Sequence, residues 1–207
     1  MGKKSRRPGR ASRQAKAAER KASTARIRVI VAAVVAALLI TGGAVALLRY
    51  RAQGEVLKVT ERVSFEVEGR GSFVMEVYPR AMPITAANFL ALVKSGFYAD
   101  LTWHRVEDWV VQTGDPTGTG SGGSEQTIPL ETHPQLKNVR GAVGMARTDD
   151  PNSATSQFYI LRRDARTLDN SYAVFGKVIE GMDVIDKLEE GDKISGAQVV
   201  SATPPPD

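Results

Sequence analysis

The chain has 207 residues, enough for one ordinary domain and some appended segments, and it contains no cysteine and only two histidines. This composition excludes disulfides, cysteine-linked lipids and thiol nucleophiles, and it leaves too few histidines for most metal clusters. The net charge of +5 is the sum of two unlike parts. Residues 1–51 contain 13 of the 28 Lys and Arg and only one of the 23 acidic residues, so their net charge is +12. The remaining residues have a net charge of −7.

The first 48 residues have the pattern of a membrane anchor. Residues 1–28 are basic, and residues 29–48 carry no charge and are almost wholly aliphatic. Twenty such residues form about 30 Å of helix, which spans a bilayer. The excess of Lys and Arg before the span predicts a cytoplasmic N-terminus. We therefore expect a single-pass protein of the cell membrane, with a disordered cytoplasmic tail at 1–28 and the acidic part on the outer side.

Two alternatives to this interpretation remain open. Ala44-Val45-Ala46 has the small-x-small pattern of a signal-peptide cleavage site, although the apolar run is longer than is usual for such a peptide. The basic tail could also bind nucleic acid or anionic lipid. We expect an uncleaved anchor that contacts the lipid bilayer through residues 29–48, a short linker at 49–55, and no nucleic-acid partner.

The remainder, residues 56–201, predicts a mainly β domain, followed by a Pro-rich tail at 202–207. Residues 56–67 and 71–78 alternate around a Glu-Gly-Arg turn and predict a β-hairpin. Pro83 begins a helical pattern that ends near Gly96, and a second helix is predicted near residues 182–188. Short strands separated by Gly and Pro fill residues 101–180. Many strands with few helices favour a closed antiparallel barrel with helices at its ends.

Two segments concentrate the polar groups that could bind a substrate. Residues 103–115, WHRVEDWVVQTGD, predict two short strands with a bend at residues 107–108, and they place Arg105 among apolar side chains near the amide of Gln112. In SQFYI, Gln157 and Tyr159 share one face of a strand, opposite Phe158 and Ile160. One face is expected to be core and the other a pocket for an uncharged polar substrate. The alternative for Arg105 is a surface pair with Glu107 or Asp108.

Other chemistries lack the required residues. His104 is expected to pack in the barrel and His133 to lie in a loop, and no serine lies in a G-x-S-x-G motif. Residues 118–123 match G-x-G-x-x-G literally, but they neither end a clear strand nor begin a helix. We interpret them as a flexible loop at the rim of the pocket, and we predict no metal and no cofactor.

Taken in order, six segments resemble the cyclophilin family of peptidyl-prolyl cis/trans isomerases, from about Val56 to about Ser201. They are residues 73–98, HRV, VVQTGDPTGTGSGG, GAVGMAR, SQFYI and LDNSYAVFGKVIEGMDVIDKL. The resemblance implies an eight-stranded barrel capped by two helices and a monomeric catalytic domain. It also implies an enzyme that accelerates rotation of X-Pro bonds in proline-containing peptides or unfolded proteins. With the predicted anchor, it suggests a bacterial protein whose substrates are exported chains.

The resemblance also implies roles for individual residues. Arg105 would donate a hydrogen bond to the prolyl nitrogen of the twisted transition state. The proline would lie in an apolar pocket, and amides would hold the substrate backbone together with the backbone of Arg147. The implied pocket residues are Trp109, Val110, Tyr159 and Leu168, with Ala146 on a neighbouring wall and Tyr172 in place of a histidine; the amides are Gln112 and Gln157.

Each of these residues could instead belong to the core or to an ordinary strand. Tyr159 replaces a phenylalanine of many family members, so its hydroxyl requires a partner or water. A different function remains possible on the same fold, namely a proline-binding or chaperone module with little turnover.

Overall fold

The computed structural model describes residues 60–200, together with the single positions Leu39 and Leu57. The chain divides into two units, Met1–Gln53 and Gly54–Asp207, and residues 60–200 belong to the second unit. Within the described residues, no helix has both the length and the apolar character needed to cross a bilayer. The predicted tail 1–28, linker 49–55 and C-terminal segment 202–207 lie outside these residues, as does the predicted span 29–48 apart from Leu39.

The domain begins with the predicted hairpin, formed by β1 (Glu61–Val67) and β2 (Gly71–Val77). The first strand begins later than the predicted residue 56, since Leu57 is helical and Thr60 is not in a strand. Alternate side chains of both strands are buried, as a sheet with one face on a core requires. Phe65 and Phe73 pair directly across the two strands, and their rings stack with centroids 5.1 Å apart. Gly69 adopts a φ of +69° in the turn, a conformation that glycine takes without steric cost.

The first helix within residues 60–200, α1, spans Pro83–Lys94, close to the predicted bounds. Its residue before the first turn, Met82, cannot cap the free N–H groups. The carboxylate of Glu131 does so instead, since it accepts hydrogen bonds from the N–H groups of Ile84 (3.1 Å) and Thr85 (2.6 Å). Phe89 points from this helix into the core, where its ring centroid lies 4.9 Å from that of Phe175.

The second helix, α2, spans Met182–Asp186 and ends two residues earlier than predicted. The side chain of Arg162 satisfies carbonyl groups at and beyond this end. Its guanidinium donates to the carbonyl oxygens of Ile185 (2.8 Å) and Leu188 (2.8 Å), and carbonyl groups at a helix C-terminus lack partners within the helix. The remaining elements are β3 (Arg105–Val106), β4 (Val110–Thr113), β5 (Ala142–Met145), β6 (Phe158–Leu161), a 3₁₀ turn (Arg166–Leu168), β7 (Val174–Glu180) and β8 (Ile194–Val200).

All eight strands belong to one antiparallel sheet, in the order β3-β4-β6-β5-β7-β2-β1-β8. The sheet curls into a half-barrel rather than closing through a continuous ladder. Its two edges are joined beside β3 and β8, where Thr102 bridges Lys193 and the N–H of Trp103 donates to Asp192 O (2.9 Å). Within residues 60–200, the prediction of eight antiparallel strands and two helices is confirmed, but the predicted closed barrel is wrong, because no ladder joins β3 to β8.

The centre of the sheet separates two apolar clusters. Val111, Phe158 and Ile160 point into the main core, together with α1 and the hairpin. Val110 and Tyr159, their neighbours in sequence, point to the opposite face, where they form a smaller cluster with Ala142, Leu161 and Val174. The predicted alternation in SQFYI is therefore present, and the smaller cluster forms the base of a surface cavity.

Candidate active site

A cavity of about 210 Å³ lies on the outer face of β4 and β6. It is smaller than the roughly 300–1,000 Å³ of sites for drug-sized ligands, so it suits one small side chain of a longer chain. Nine of the ten predicted site residues line it, although they are spread over 68 positions of sequence. They are Arg105, Trp109, Val110, Gln112, Ala146, Arg147, Tyr159, Leu168 and Tyr172. The tenth, Gln157, lines a neighbouring cavity.

The floor of the cavity is formed by Val110 and Tyr159, which are almost completely buried. Gly144 of β5 lies opposite Tyr159 in the register of the sheet. A Cβ atom at position 144 would come within 2.3 Å of the Tyr159 ring, so only glycine leaves room for the ring in this orientation. Tyr172 closes one side, with its ring edge-on to that of Tyr159 at 6.1 Å.

The Tyr159 hydroxyl has the partner that its burial requires. It donates to Oδ1 of Asn138 at 2.6 Å, and Asn138 is itself fully buried. The backbone N–H of Asn138 donates to Asp169 (2.7 Å), which also accepts from Arg166 of the 3₁₀ turn (2.8 Å). Burial raises the pKa of Tyr159 above its ordinary value, so the hydroxyl stays protonated as a donor. This chain of bonds connects the floor to the turn that carries Leu168.

Arg105 lies at the rim, where β3 pairs it directly with Gln112 of β4. Its Nη1 donates to Oε1 of Gln112 (3.3 Å), and Gln112 in turn donates to Oε1 of Gln157 (2.7 Å). The guanidinium carbon lies 5.3 Å from the centroid of the Trp109 ring. The side chain is 41% exposed, so an arginine held by several partners faces both the cavity and solvent.

Glu107 connects the two sides of this rim. Its carboxylate accepts from Nε of Arg105 (2.7 Å) and from the indole N–H of Trp109 (2.7 Å). The bond from Arg105 lowers the pKa of Glu107, so the carboxylate is ionised at neutral pH. An exposed ion pair of this kind adds only about 0–1 kcal/mol to stability. The effect of Glu107 is therefore to orient the guanidinium and the indole.

The surface pair that was the alternative for Arg105 is thus present, and it coexists with a position on the cavity wall. From the sequence, Glu107 was considered only as a competing partner, and its place in the site was missed. A signal was available, because Glu107 and Trp109 lie in the short turn between β3 and β4, next to Arg105 in sequence. Nη1 of Arg162 also donates a hydrogen bond to the carbonyl oxygen of Glu107 (3.1 Å), which holds this segment in place.

A second cavity, of about 480 Å³, adjoins the first and shares Gln112, Ala146 and Arg147 with it. One wall is the glycine-rich loop, residues 118–123, which lies beside the pocket as predicted. Several hydrogen bonds hold the loop in place, contrary to the expected flexibility. The buried carboxylate of Asp115 accepts from the N–H groups of Gly120 (2.6 Å) and Gly122 (3.1 Å), and Gln157 donates to both carbonyl oxygens. The opposite wall is polar: Thr148, Ser153 and Thr155.

Neither histidine lines the two cavities. Both ring nitrogens of His104 are buried without a hydrogen-bond partner among the described residues, and burial lowers the pKa of the ring. His104 therefore packs as a neutral ring beneath the loop. Across residues 60–200, no group of three or more His, Asp or Glu side chains is arranged to hold a metal ion.

Comparisons with known proteins identify relatives of this domain. Residues 62–204 match the family model described as cyclophilin type peptidyl-prolyl cis-trans isomerase/CLD. Over 125 residues, the chain is 45% identical to peptidyl-prolyl cis-trans isomerase-like 3 of Rattus norvegicus. This alignment covers 58% of this chain and 77% of the relative. Over 125 residues it is 42% identical to a peptidyl-prolyl cis-trans isomerase of Acinetobacter baylyi, covering 57% of this chain and 66% of the relative.

Solved structures give the same result. A crystal structure of a cyclophilin type peptidyl-prolyl cis-trans isomerase of Cryptosporidium parvum superimposes with a TM-score of 0.65 at 28% identity, covering 69% of this chain and 99% of the other. A crystal structure described as that isomerase in the presence of the dipeptide Ala-Pro superimposes with a TM-score of 0.62 at 30% identity, covering 68% of this chain and 99% of the other.

Tyr159→Phe should destabilise the domain without reshaping the floor of the cavity. The ring remains, but Oδ1 of buried Asn138 loses its donor, and such a loss costs about 1–2 kcal/mol. Urea unfolding of the two proteins measures the difference. Tyr172→Phe is the matched control, because the Tyr172 hydroxyl makes no hydrogen bond among the described residues. Equal unfolding midpoints for wild type and Tyr159→Phe would contradict the role given to Asn138.

Asp115→Asn should destabilise the domain in a pH-dependent way. Burial alone would raise the pKa of Asp115, but hydrogen bonds from Thr117, Gly122 and Gly120 outweigh it and lower the pKa from 3.8 to about 2. A lowered pKa means that the carboxylate stabilises the fold above about pH 4 and loses this effect as the pH falls towards 2. The stabilisation is about 2 kcal/mol.

The measurement is the free energy of unfolding of wild type and Asp115→Asn between pH 7 and pH 2. The difference should be largest near neutral pH and should shrink below pH 4. Asp183→Asn, on the exposed face of α2, is the control and should leave the wild-type acid dependence in place. A difference that stays constant across this range would show that the charge of Asp115 is not its source.

Proposed function

The chain belongs to the cyclophilin-type peptidyl-prolyl cis-trans isomerases, and we propose that Arg105 supplies its catalytic hydrogen bond while the 210 Å³ cavity holds the substrate proline. The protein is an isomerase of X-Pro peptide bonds. The observation that carries the proposal for the site is the convergence of nine residues, expected from the resemblance, on one cavity with an apolar floor and an arginine at its rim.

The chemistry requires no covalent step. Resonance gives the peptide C–N bond a rotational barrier of about 18–20 kcal/mol. At the twisted transition state this resonance is lost, and the prolyl nitrogen regains a lone pair that can accept a hydrogen bond. A donor aimed at that nitrogen binds the transition state more tightly than either planar ground state, which lowers the barrier.

Arg105 is suited to this role. Its guanidinium stays charged and presents N–H groups in a rigid fork. Nε is bound to Glu107 and one N–H of Nη1 to Gln112, whereas Nη2 makes no hydrogen bond within residues 60–200. Held in this way, the free end of the fork needs little reorganisation to meet the substrate, and such preorganised donors contribute strongly to catalysis.

The surrounding residues divide into two groups under this proposal. The proline ring would rest on Val110 and Tyr159, with the other apolar and aromatic side chains as walls: Trp109, Ala146, Leu168 and Tyr172. The amides of Gln112 and Gln157 and the backbone of Arg147 would hold the peptide on either side of the ring. Proline-containing peptides and unfolded proteins are the corresponding substrates.

Arg105→Ala should abolish most of the acceleration. We expect kcat/KM for cis/trans exchange in an Ala-Pro peptide to fall roughly 100-fold, as is usual when one preorganised donor of about 3 kcal/mol is lost. Exchange NMR on the full chain measures this rate. Arg105→Lys keeps the charge but loses the planar fork, and it should restore only part of the rate. If wild type binds the peptide without accelerating exchange, the protein is a proline-binding or chaperone module instead.

A double-mutant cycle in the same assay tests the part played by Glu107. As a positioning residue it acts through Arg105, so Glu107→Gln should lower kcat roughly fivefold with KM nearly unchanged. Added to Arg105→Ala, the same substitution should have almost no further effect, because coupled residues are non-additive. Independent, additive losses would mean that Glu107 does not act through Arg105.

We also propose that residues 29–48 anchor this enzyme in the cell membrane, with the N-terminus in the cytoplasm and the domain outside, where exported chains are its substrates. The support is the uncharged run of twenty residues and the basic segment before it. The full chain, expressed in a bacterial host, should stay in membranes after carbonate extraction. Protease added to spheroplasts should digest the domain. A soluble product that begins after Ala46 would show a cleaved signal peptide instead.

A further inference from the structure

Arg147 lies where the two cavities meet, and it lines both of them. Its guanidinium carbon stacks 4.8 Å from the centroid of the Tyr172 ring. Its Nη2 donates to the carbonyl oxygen of Ser171 (2.8 Å), and Nη1 donates to those of Thr148 (2.6 Å) and Asp149 (3.1 Å). The side chain is therefore fixed in place by neutral oxygens and a ring, which leave its positive charge uncompensated.

The two adjoining cavities together form a cleft, and carboxylates are scarce around it. The charged residues that line the two cavities are Arg105 and Arg147, and none of the described lining residues is acidic. Glu107, at the rim, is paired with Arg105. Asp149 and Asp150 lie in the adjoining turn, but within residues 60–200 no carboxylate oxygen comes within the 4 Å ion-pair distance of the Arg147 guanidinium.

The contrast with the rest of the domain makes this charge pattern informative. Residues 60–200 contain 20 Asp and Glu against 14 Lys and Arg, a net of −6. A cationic cleft on an anionic domain attracts a ligand with a local negative charge, and it disfavours one with a local positive charge. The larger cavity has polar walls of hydroxyl groups and loop backbone, so it accommodates a polar side chain better than an apolar one.

We propose that Arg147 makes this site select proline segments that carry Asp or Glu within two residues of the proline. The inference rests on the proposed function, because it assumes that the smaller cavity holds the proline. An acidic side chain next to the proline then enters the larger cavity and pairs with a guanidinium that is already held in place. The remaining N–H of Nη2 and the uncompensated charge form the contact, and charge-assisted hydrogen bonds of this kind are the stronger ones.

The test is a set of otherwise uncharged Ala-Pro peptides. In each peptide, Glu, Gln or Lys occupies one position, which is the residue before the Ala-Pro pair or the first or second residue after it. Exchange rates with the full-length wild type give kcat/KM for each peptide at low and at high salt. At one or two positions, we expect Glu to exceed Lys by roughly five- to tenfold, with Gln between them. High salt should reduce this preference, because the contact is partly exposed to solvent.

Substitutions of Arg147 test whether this side chain causes the preference for Glu over Lys. Arg147→Gln should remove the Glu-over-Lys preference, and Arg147→Lys should retain part of it. Arg80→Gln removes one positive charge from an exposed turn outside both cavities, so it controls for the long-range field and should keep the wild-type preference. Equal rates for Glu and Lys at every position, or a preference that survives in Arg147→Gln, would overturn the inference.

The Gln peptides separate this inference from the proposed function. If they are turned over while Glu and Lys peptides do not differ, the enzyme assignment stands and the acidic preference is wrong. If no peptide is turned over, the catalytic proposal fails, and fluorescence anisotropy of the same peptides decides the preference. Tighter binding of the Glu than of the Lys peptides, lost in Arg147→Gln, would then support it, and equal binding would overturn it.

Discussion

The alternation of side chains along β4 and β6 is the constraint on which the rest of the domain depends. Because successive residues of a strand point to opposite faces, burying Phe158 and Ile160 in the main core forces Tyr159 and Leu161 onto the outer face. A slip of one residue would exchange the two sets and destroy both clusters at once. The position of the site is therefore coupled to the stability of the core.

The outer cluster has a demanding feature, which is a tyrosine hydroxyl in an apolar floor. Its burial is tolerated because Asn138 accepts its hydrogen bond and Gly144 leaves space for its ring. The same asparagine is held by Asp169, beside the turn that carries Leu168. The floor and one wall of the cavity are thus one connected polar network under an apolar surface, and fully satisfied networks of this kind favour a single arrangement.

The rim follows a different principle, since its groups are partly exposed and charged. Glu107 orients Arg105 and Trp109 together, Gln112 connects Arg105 to Gln157, and Gln157 holds the glycine-rich loop that Asp115 also pins. Peptidyl-prolyl isomerisation requires no nucleophile and no proton transfer, so under the proposed mechanism the main task of these contacts is to position a hydrogen-bond donor. The two arginines differ in their partners: Arg105 is paired with a carboxylate, whereas Arg147 is held by neutral carbonyl oxygens and the Tyr172 ring.

By itself, the sequence determined the identity of the hairpin, α1 and the alternating strand SQFYI, because local periodicity, Pro83 and the glycine turns specify them without distant partners. With the family resemblance, it also determined which residues surround the cavity. The tertiary structure alone decided that Glu131 caps α1 from 46 residues away, that Arg162 binds a carbonyl group at the end of α2, and that Asn138 accepts the hydrogen bond of the Tyr159 hydroxyl. Each of these contacts joins polar groups that are distant in sequence. No local pattern encodes them, because they form only when the curled sheet brings its segments together.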